Sequence, residues 1–312
     1  MSFFKETSTQ NSTDTLFKTI TIVSAGLMLL VLLALFVELI ANSWPSIERF
    51  GASFIYSFKW DPVKQDFGAA SSIFGTLVST FIAMLIAVPL SIVIAIFLVE
   101  LSHPVLSKIF GTAIELLAAI PSIIYGMWGL FVFAPFMSDY IQPFLAKIGG
   151  SLPFFQGPPM GIGMLSAGII LAIMILPFIS SVVRDVFTMV PAVVKESAYG
   201  MGSTLFEVTH RVTIRYGIKG IIGAAFLGLG RAIGETMAVT FVIGNKHDIS
   251  ASLFAPATSI ASTLANEFAE ASEKLYMSSL IELGLILFLI TFIIQIISQY
   301  WVKSIQKTMG TR

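Results

Sequence analysis

Apolar residues in this chain run in long uncharged stretches, not at the alternating spacing of strands, and the lengths of those stretches predict its elements. A helix needs roughly 20 apolar residues to cross about 30 Å of hydrocarbon. Thr19 to Val37, bracketed by Lys18 and Glu38, meets that length and predicts a first span over 19–40. The run from Phe67 to Val99 predicts a span over 72–99 after a short entry, and Ile109 to Ser138, interrupted only by Glu115, predicts 109–136. Ile148 to Val183 is longer than one crossing. Pro153, Pro158 and Pro159 mark its start as a loop and leave a span over 161–183. Two more spans follow, 219–243 with Arg231 and Glu235 inside it, and 278–302 with Glu282. The pattern reads as an all-α integral membrane protein with six transmembrane helices. Pro89 and Pro121 are expected to kink the second and third spans and so shape a cavity.

Composition agrees. The hydrophobic class is 56% and the charged class 12%, about half the usual globular share, with a mean hydropathy of +0.90. So few charges cannot cover a water-soluble globule, which makes the bilayer the solvent. The 18 basic and 18 acidic residues cancel, and no basic face points to nucleic acid. Zero cysteines exclude disulfide and thiolate chemistry, and His103, His210 and His247 are too far apart for an i, i+4 metal pair. No Gly-Lys-Ser or Gly-Lys-Thr occurs, so no P-loop is present. Gly228 to Gly234 has glycines spaced GxGxxxG inside an apolar helix with no strand before it, which is not a dinucleotide fingerprint. Gly230 and Gly234 read instead as a small-residue face for close helix packing. The expectation is a chain with no catalytic site and no cofactor of its own.

Basic residues orient the spans. With both termini cytoplasmic, the inner segments carry 11 Lys and Arg and the outer segments 6, with Arg231 in the membrane. That places tails 1–18 and 303–312 and the loop 184–218 inside, and the loop 41–71 in the periplasm. The first run is longer than a signal-peptide core and its leader carries Glu6 and Asp14, so it reads as an anchor that is kept. Trp44 and Trp301 fall at interfacial positions of the first and last spans.

The inner loop is the most informative polar segment. Pro191 suits the first turn of a short helix, Gly200 and Gly202 break it, and Thr204 with Glu207 has capping-box spacing before Leu205, Val208 and Val212 at helical intervals. Helix, glycine break, helix with an apolar side is either an interfacial hairpin on lipid headgroups or a docking surface for a cytoplasmic partner.

Glu196, Ser197 and Ala198, with Gly202 four residues on, resemble the EAA loop of ABC-importer permeases. Ser197 replaces the first alanine of that motif and Arg215 stands where a proline is expected. The stretches Gly228–Asn245, Leu264–Ala271 and Glu282–Phe288 resemble the PstC family, one of the two permease families of phosphate ABC importers, and the likeness runs from about residue 68 to 302. The resemblance implies a MetI-like type I importer core plus one extra N-terminal helix, in a bacterial inner membrane. It implies inorganic phosphate as substrate and, as partners, a PstA-like sister permease, two copies of a PstB-like ATPase that holds the ATP and Mg, and an external PstS-like binding protein. Glu196, Ser197, Ala198, Gly202 and Glu207 would then couple to the ATPase. Alternatives are an importer permease for another small oxyanion, an ion-coupled secondary carrier, whose inverted repeats are not visible here, and a scaffold without transport of its own.

Arg231 and Glu235 are four apart, so an unbroken helix puts both on one face. An Arg at a helix centre costs about 2.5–3.5 kcal/mol on insertion scales and so needs a partner or water. One reading is a self-contained ion pair. The other is a gate or transient anion site: the planar guanidinium suits phosphate oxygens, Glu235 accepts from the hydroxyl that phosphate keeps and sulfate lacks, and Thr236 adds a hydroxyl. Glu115 and Glu282 lie near span ends, where a carboxylate reaches water, and are expected to be structural. Glu267, Glu270 and Glu273 give the outer loop 246–276 an acidic rim for an external protein.

Overall fold

The computed structural model describes residues 3–150 and 152–309, with side chains over 13–150 and 152–304. The ends of the two expected tails, and the side chains of Lys5, Lys307 and Arg312 that enter the charge bias, lie outside the described residues.

Helix α1 (Phe3–Phe50) is unbroken, with Pro45 inside it. The segment 41–50, expected to belong to a loop, is thus helical. At 1.5 Å per residue α1 is about 72 Å long, well over twice the hydrocarbon thickness. It packs along α14 (Lys274–Met309) and leaves the rest of its surface uncovered. After α2 (Ser53–Tyr56), a small hairpin pairs β1 (Trp60–Asp61) antiparallel with β2 (Asp66–Phe67), Trp60 opposite Phe67. This pair is a minor departure from an all-α chain.

Helix α3 (Ala70–Ile96) continues into a π turn at Phe97–Leu101, and Pro89 sits within it without breaking it. Its main neighbour is α8 (Met164–Thr188). Ile82, Ala83 and Ala87 of α3 meet Ile170, Leu171, Ile175 and Ile179 of α8 in the core. Gly168 lets Ile82 press against the α8 backbone, and the Ser91 hydroxyl donates to the Leu176 carbonyl at 3.1 Å.

The span expected over 109–136 is not one helix. Helix α4 (Pro104–Ala118) stops, and α5 (Ser122–Trp128) begins after a bend of 90°. From there α6 (Ala134–Phe136), α7 (Gln142–Gly149) and the π turns between them form one run ending at Gly149. Pro121 donates no backbone hydrogen bond and holds Ile120 out of the helical region, so a break replaces the expected kink. The Leu117 carbonyl, which accepts from the Ile120 N–H at 3.2 Å in place of an i+4 partner, also accepts from the Tyr125 hydroxyl at 2.9 Å. Fifteen residues of α4 reach about 22 Å, too short to cross, whereas the 122–149 run is long enough.

Helix α9 (Ala192–Gly200) follows α8, and α10 (Leu205–Val208), a π turn at Thr209–Thr213 and α11 (Ile214–Ile233) form one continuous helix. The second helix of the inner loop is thus the base of the fifth span. That span ends at Ile233 and not at 243. The short α12 (Met237–Thr240) and α13 (Ile260–Glu267) follow, then α14. Part of the segment after α12 packs back into the protein, with Val242, Ile243, Phe254, Ala257, Thr258 and Ser259 buried. Carbonyls of Val242, Ala255 and Leu253 accept from the otherwise orphaned N–H groups of Gly163, Met164 and Leu165 at 2.8, 3.2 and 2.8 Å, and Phe254 is buried. Among the described residues five helices are long and apolar enough to cross a membrane, and up to six if the bent pair is one span.

Candidate functional site

The site begins where α11 stops. Arg231 lies in the last turn of α11, where a positive charge complements the negative end of the helix dipole. Its side chain is exposed, and its guanidinium carbon stands 5.6 Å from the centre of the Phe178 ring on α8. Glu235 lies beyond the break. Its Oε1 accepts from the Ala238 N–H at 3.3 Å, at the start of α12. Among the described residues no ion pair joins Arg231 to Glu235. The one-face geometry expected of them fails because the helix between them ends at Gly234. Each charge instead serves its own side of the break. Thr236 adjoins them, its carbonyl accepting from both the N–H and the hydroxyl of Thr240.

Two helix breaks are held against each other. Gly126 of α5 lies so close to α12 that a Cβ there would stand 2.8 Å from the Met237 carbonyl and 3.1 Å from the Ala238 Cα. The break at Pro121 and the break after Ile233 therefore share one packing contact. Irregular backbone at membrane depth is tolerated where it is buried in protein or lines a cavity. The small-residue face expected of Gly230 and Gly234 packs nothing: neither glycine meets a neighbouring helix. Gly217, Gly220 and Gly228 make the close contacts with α8, against Phe187, Val186 and Ile179. The face of α11 that carries Arg231 is open.

At the other end of the transmembrane helices α9 ends in a Schellman motif. Gly202 has φ +85°, and the N–H groups of Gly202 and Ser203 donate to the Tyr199 and Ala198 carbonyls at 2.9 and 3.1 Å. Thr204 and Glu207 form the capping box that the spacing predicts. Ala198 is buried, whereas Glu196 and Ser197 are exposed, the Ser197 hydroxyl donating to the Val193 carbonyl. Two ion pairs that spacing along the chain does not signal brace this end. Arg184 of α8 meets Glu115 of α4 at 2.5 Å, and Lys195 of α9 meets Glu100 at 2.6 Å. Glu100 stood in the sequence only as the charge that closes an apolar run.

The segment 246–276 differs more from expectation. Glu267 does not belong to a solvated rim. Its Oε2 accepts from the Trp60 indole and the Tyr276 hydroxyl, both at 2.6 Å, and its Oε1 is 2.8 Å from His247 Nε2. The Trp60 and His247 rings stack at 5.1 Å. Burial pushes the Glu267 carboxyl up, but the hydrogen bonds from His247, Tyr276 and Trp60 outweigh it and hold the group below its ordinary value. Glu270 and Glu273 remain exposed. Glu282 does not reach water. It is 6% exposed, and its Oε2 is buried without a protein partner.

Residues 87–307 match the family described as the binding-protein-dependent transport system inner membrane component. The chain belongs to this family. It is 54% identical over 302 residues to the phosphate transport system permease protein PstC of Mesorhizobium japonicum, covering 96% of this chain and 92% of that one. Identity is 53% to PstC of Pasteurella multocida, over 96% of this chain and 94% of that one. It is 39% to the probable PstC of Methanocaldococcus jannaschii, over 84% and 85%. Among solved structures, a bacterial ABC transporter that imports the acidic polysaccharide alginate superposes with a TM-score of 0.62 at 15% identity, over 96% of this chain and 99% of that one. The MetNI methionine ABC transporter, in an inward-facing conformation, gives 0.50 at 18% identity, over 75% and 92%. At such identities the likeness is one of fold, and it is the importer-permease fold that the inner-membrane family requires.

Proposed function

We propose that this chain is the permease subunit of an ATP-driven importer of inorganic phosphate, forming half of the translocation path. The observation that carries the reading is near-complete alignment at about half identity with PstC permeases. What supports an anion site at Arg231 is that it is exposed at an open helix break with no carboxylate partner among the described residues, so its guanidinium is free to offer a bidentate fork to phosphate oxygens. Glu235 and Thr236 flank the same break and select for the protonated oxyanion, Glu235 by accepting from its hydroxyl. The path is completed by a PstA-like sister permease, and a PstS-like protein delivers phosphate from outside. Two PstB-like ATPases receive Glu196, Ser197, Ala198, Gly202 and Glu207 on the cytoplasmic side, along with both termini. This chain binds no nucleotide, and ATP is hydrolysed by the ATPases.

The test is phosphate uptake by the assembled complex in proteoliposomes. A charge-assisted hydrogen bond is worth about 1.5–3 kcal/mol, so Arg231→Ala lowers uptake roughly 10- to 150-fold with basal ATP hydrolysis kept. Uptake unchanged within experimental error removes Arg231 from the path. Glu235→Gln narrows the preference for phosphate over sulfate, and an unchanged rate and preference removes Glu235 from the selection of phosphate.

A further inference from the structure

We infer that Glu100 is the residue that ties the coupling helix α9 to the transmembrane helices, so that movement at the ATPase reaches Arg231 through it. The inference rests on the reading of α9 as the segment an ATPase moves. Glu100 sits in the π turn that ends α3, with its side chain 7% exposed. One oxygen, Oε1, accepts from Lys195 Nζ at 2.6 Å and from the Thr213 hydroxyl at 2.8 Å. Lys195 belongs to α9, and Thr213 to the π turn at the base of α11. A single buried carboxylate oxygen thus joins its own π turn to two elements that are 95 and 113 residues away from it in sequence.

The geometry separates docking from transmission. Lys195 and Glu196 are neighbours, so on a helix they point about 100° apart. Glu196 faces solvent, while the Lys195 side chain turns inward and is 18% exposed. The face that a partner touches and the face that holds Glu100 are therefore different faces of one short helix. From Thr213 to Arg231 the chain is helical throughout, about 27 Å of rigid rod. A shift of α9 that keeps the Glu100 contacts must carry α11 and α3 with it. A shift that breaks them would leave a carboxylate buried and unpaired, which is strongly unfavourable. Both attachment points lie in π turns, which recur at functional sites.

The experiment uses the complete complex with Glu100→Gln, Lys195→Met and the reversed pair Glu100→Lys with Lys195→Glu. It reads complex yield, ATP hydrolysis and phosphate moved per ATP. The inference expects yield and basal hydrolysis within about twofold of the parent in Glu100→Gln, a lower yield in Lys195→Met because it leaves the Glu100 carboxylate buried without its cation, and transport per ATP lowered at least about tenfold in both and recovered to within about threefold by the reversed pair. Because the chain has no cysteine, spin labels at Val63→Cys on the outer hairpin and Gly223→Cys on α11, where a side chain meets open space, report nucleotide-driven displacement. That displacement disappears in Glu100→Gln although ATP is still hydrolysed. If the parent complex carries no phosphate, the substrate reading fails and the labels still decide the role of Glu100. Transport per ATP unchanged in Glu100→Gln, displacement equal to the parent's, or no recovery in the reversed pair overturns the inference.

Discussion

Replacing Gly202 with alanine isolates backbone conformation from packing. At φ +85° a side chain is strained by about 1–2 kcal/mol, because its Cβ crowds its own backbone. A Cβ at Gly202 would meet no other atom within 4 Å, so no steric penalty adds to this and no contact offsets it. Gly200, two residues earlier, is equally open but helical. There alanine is favoured by about 0.5–1 kcal/mol. One substitution two residues apart should therefore have opposite signs. The assay is hydrogen exchange at the amides of residues 202 and 203, whose N–H groups close the motif onto Tyr199 and Ala198. In Gly202→Ala their protection should fall roughly 5- to 30-fold, the population ratio that 1–2 kcal/mol sets. In Gly200→Ala it should hold or rise. Equal loss in both variants would mean that α9 is marginal as a whole, and no loss in Gly202→Ala would refute the assigned left-handed conformation.

Three further outcomes follow from the geometry. Glu267 is held below its ordinary carboxyl value, so the stability it lends the hairpin is complete at neutral pH and disappears as pH falls through its lowered value; Glu267→Gln should lower thermal stability at neutral pH and abolish that acid-side loss, and a variant as stable as the parent at neutral pH would contradict this. Gly75→Ala drives a Cβ into the Thr258 carbonyl, a backbone atom that cannot swing aside, and should destabilise by about 1–3 kcal/mol in thermal unfolding in detergent, whereas Gly223→Ala, in open space, should not. Gly126→Ala pushes α12 from α5 and displaces the break beside Arg231, so phosphate uptake should fall at least about tenfold with ATPase binding retained; normal uptake would show that the two breaks are independent.

The features legible along the chain are those that physics makes local. An uncharged run long enough to cross a bilayer is a span wherever it packs, and α1, α3, α8 and α14 contain the stretches read that way. The helix, glycine break and helix of the inner loop were equally legible, since a capping box and a left-handed glycine act within a few residues. Arg231 and Glu235 were visible as charges, but their geometry was not. Periodicity assumes that a helix continues, and no proline announces the end of α11; its break coincides with the seat of α12 on Gly126, more than a hundred residues away. Pro121 did announce a disturbance, though only the fold made it a 90° turn rather than a kink.

Partners joined across the fold leave no trace in spacing. Glu100 with Lys195 and Thr213, and Glu267 with Trp60, His247 and Tyr276, meet because helices pack, and the sequence recorded them as isolated charges and aromatics. Hydrophobic length decided that this chain lives in a membrane and about how often it crosses. Which charges face each other, which stay buried and which stand open was decided by packing, because desolvation makes a charge in low dielectric depend on every neighbour that folding brings to it.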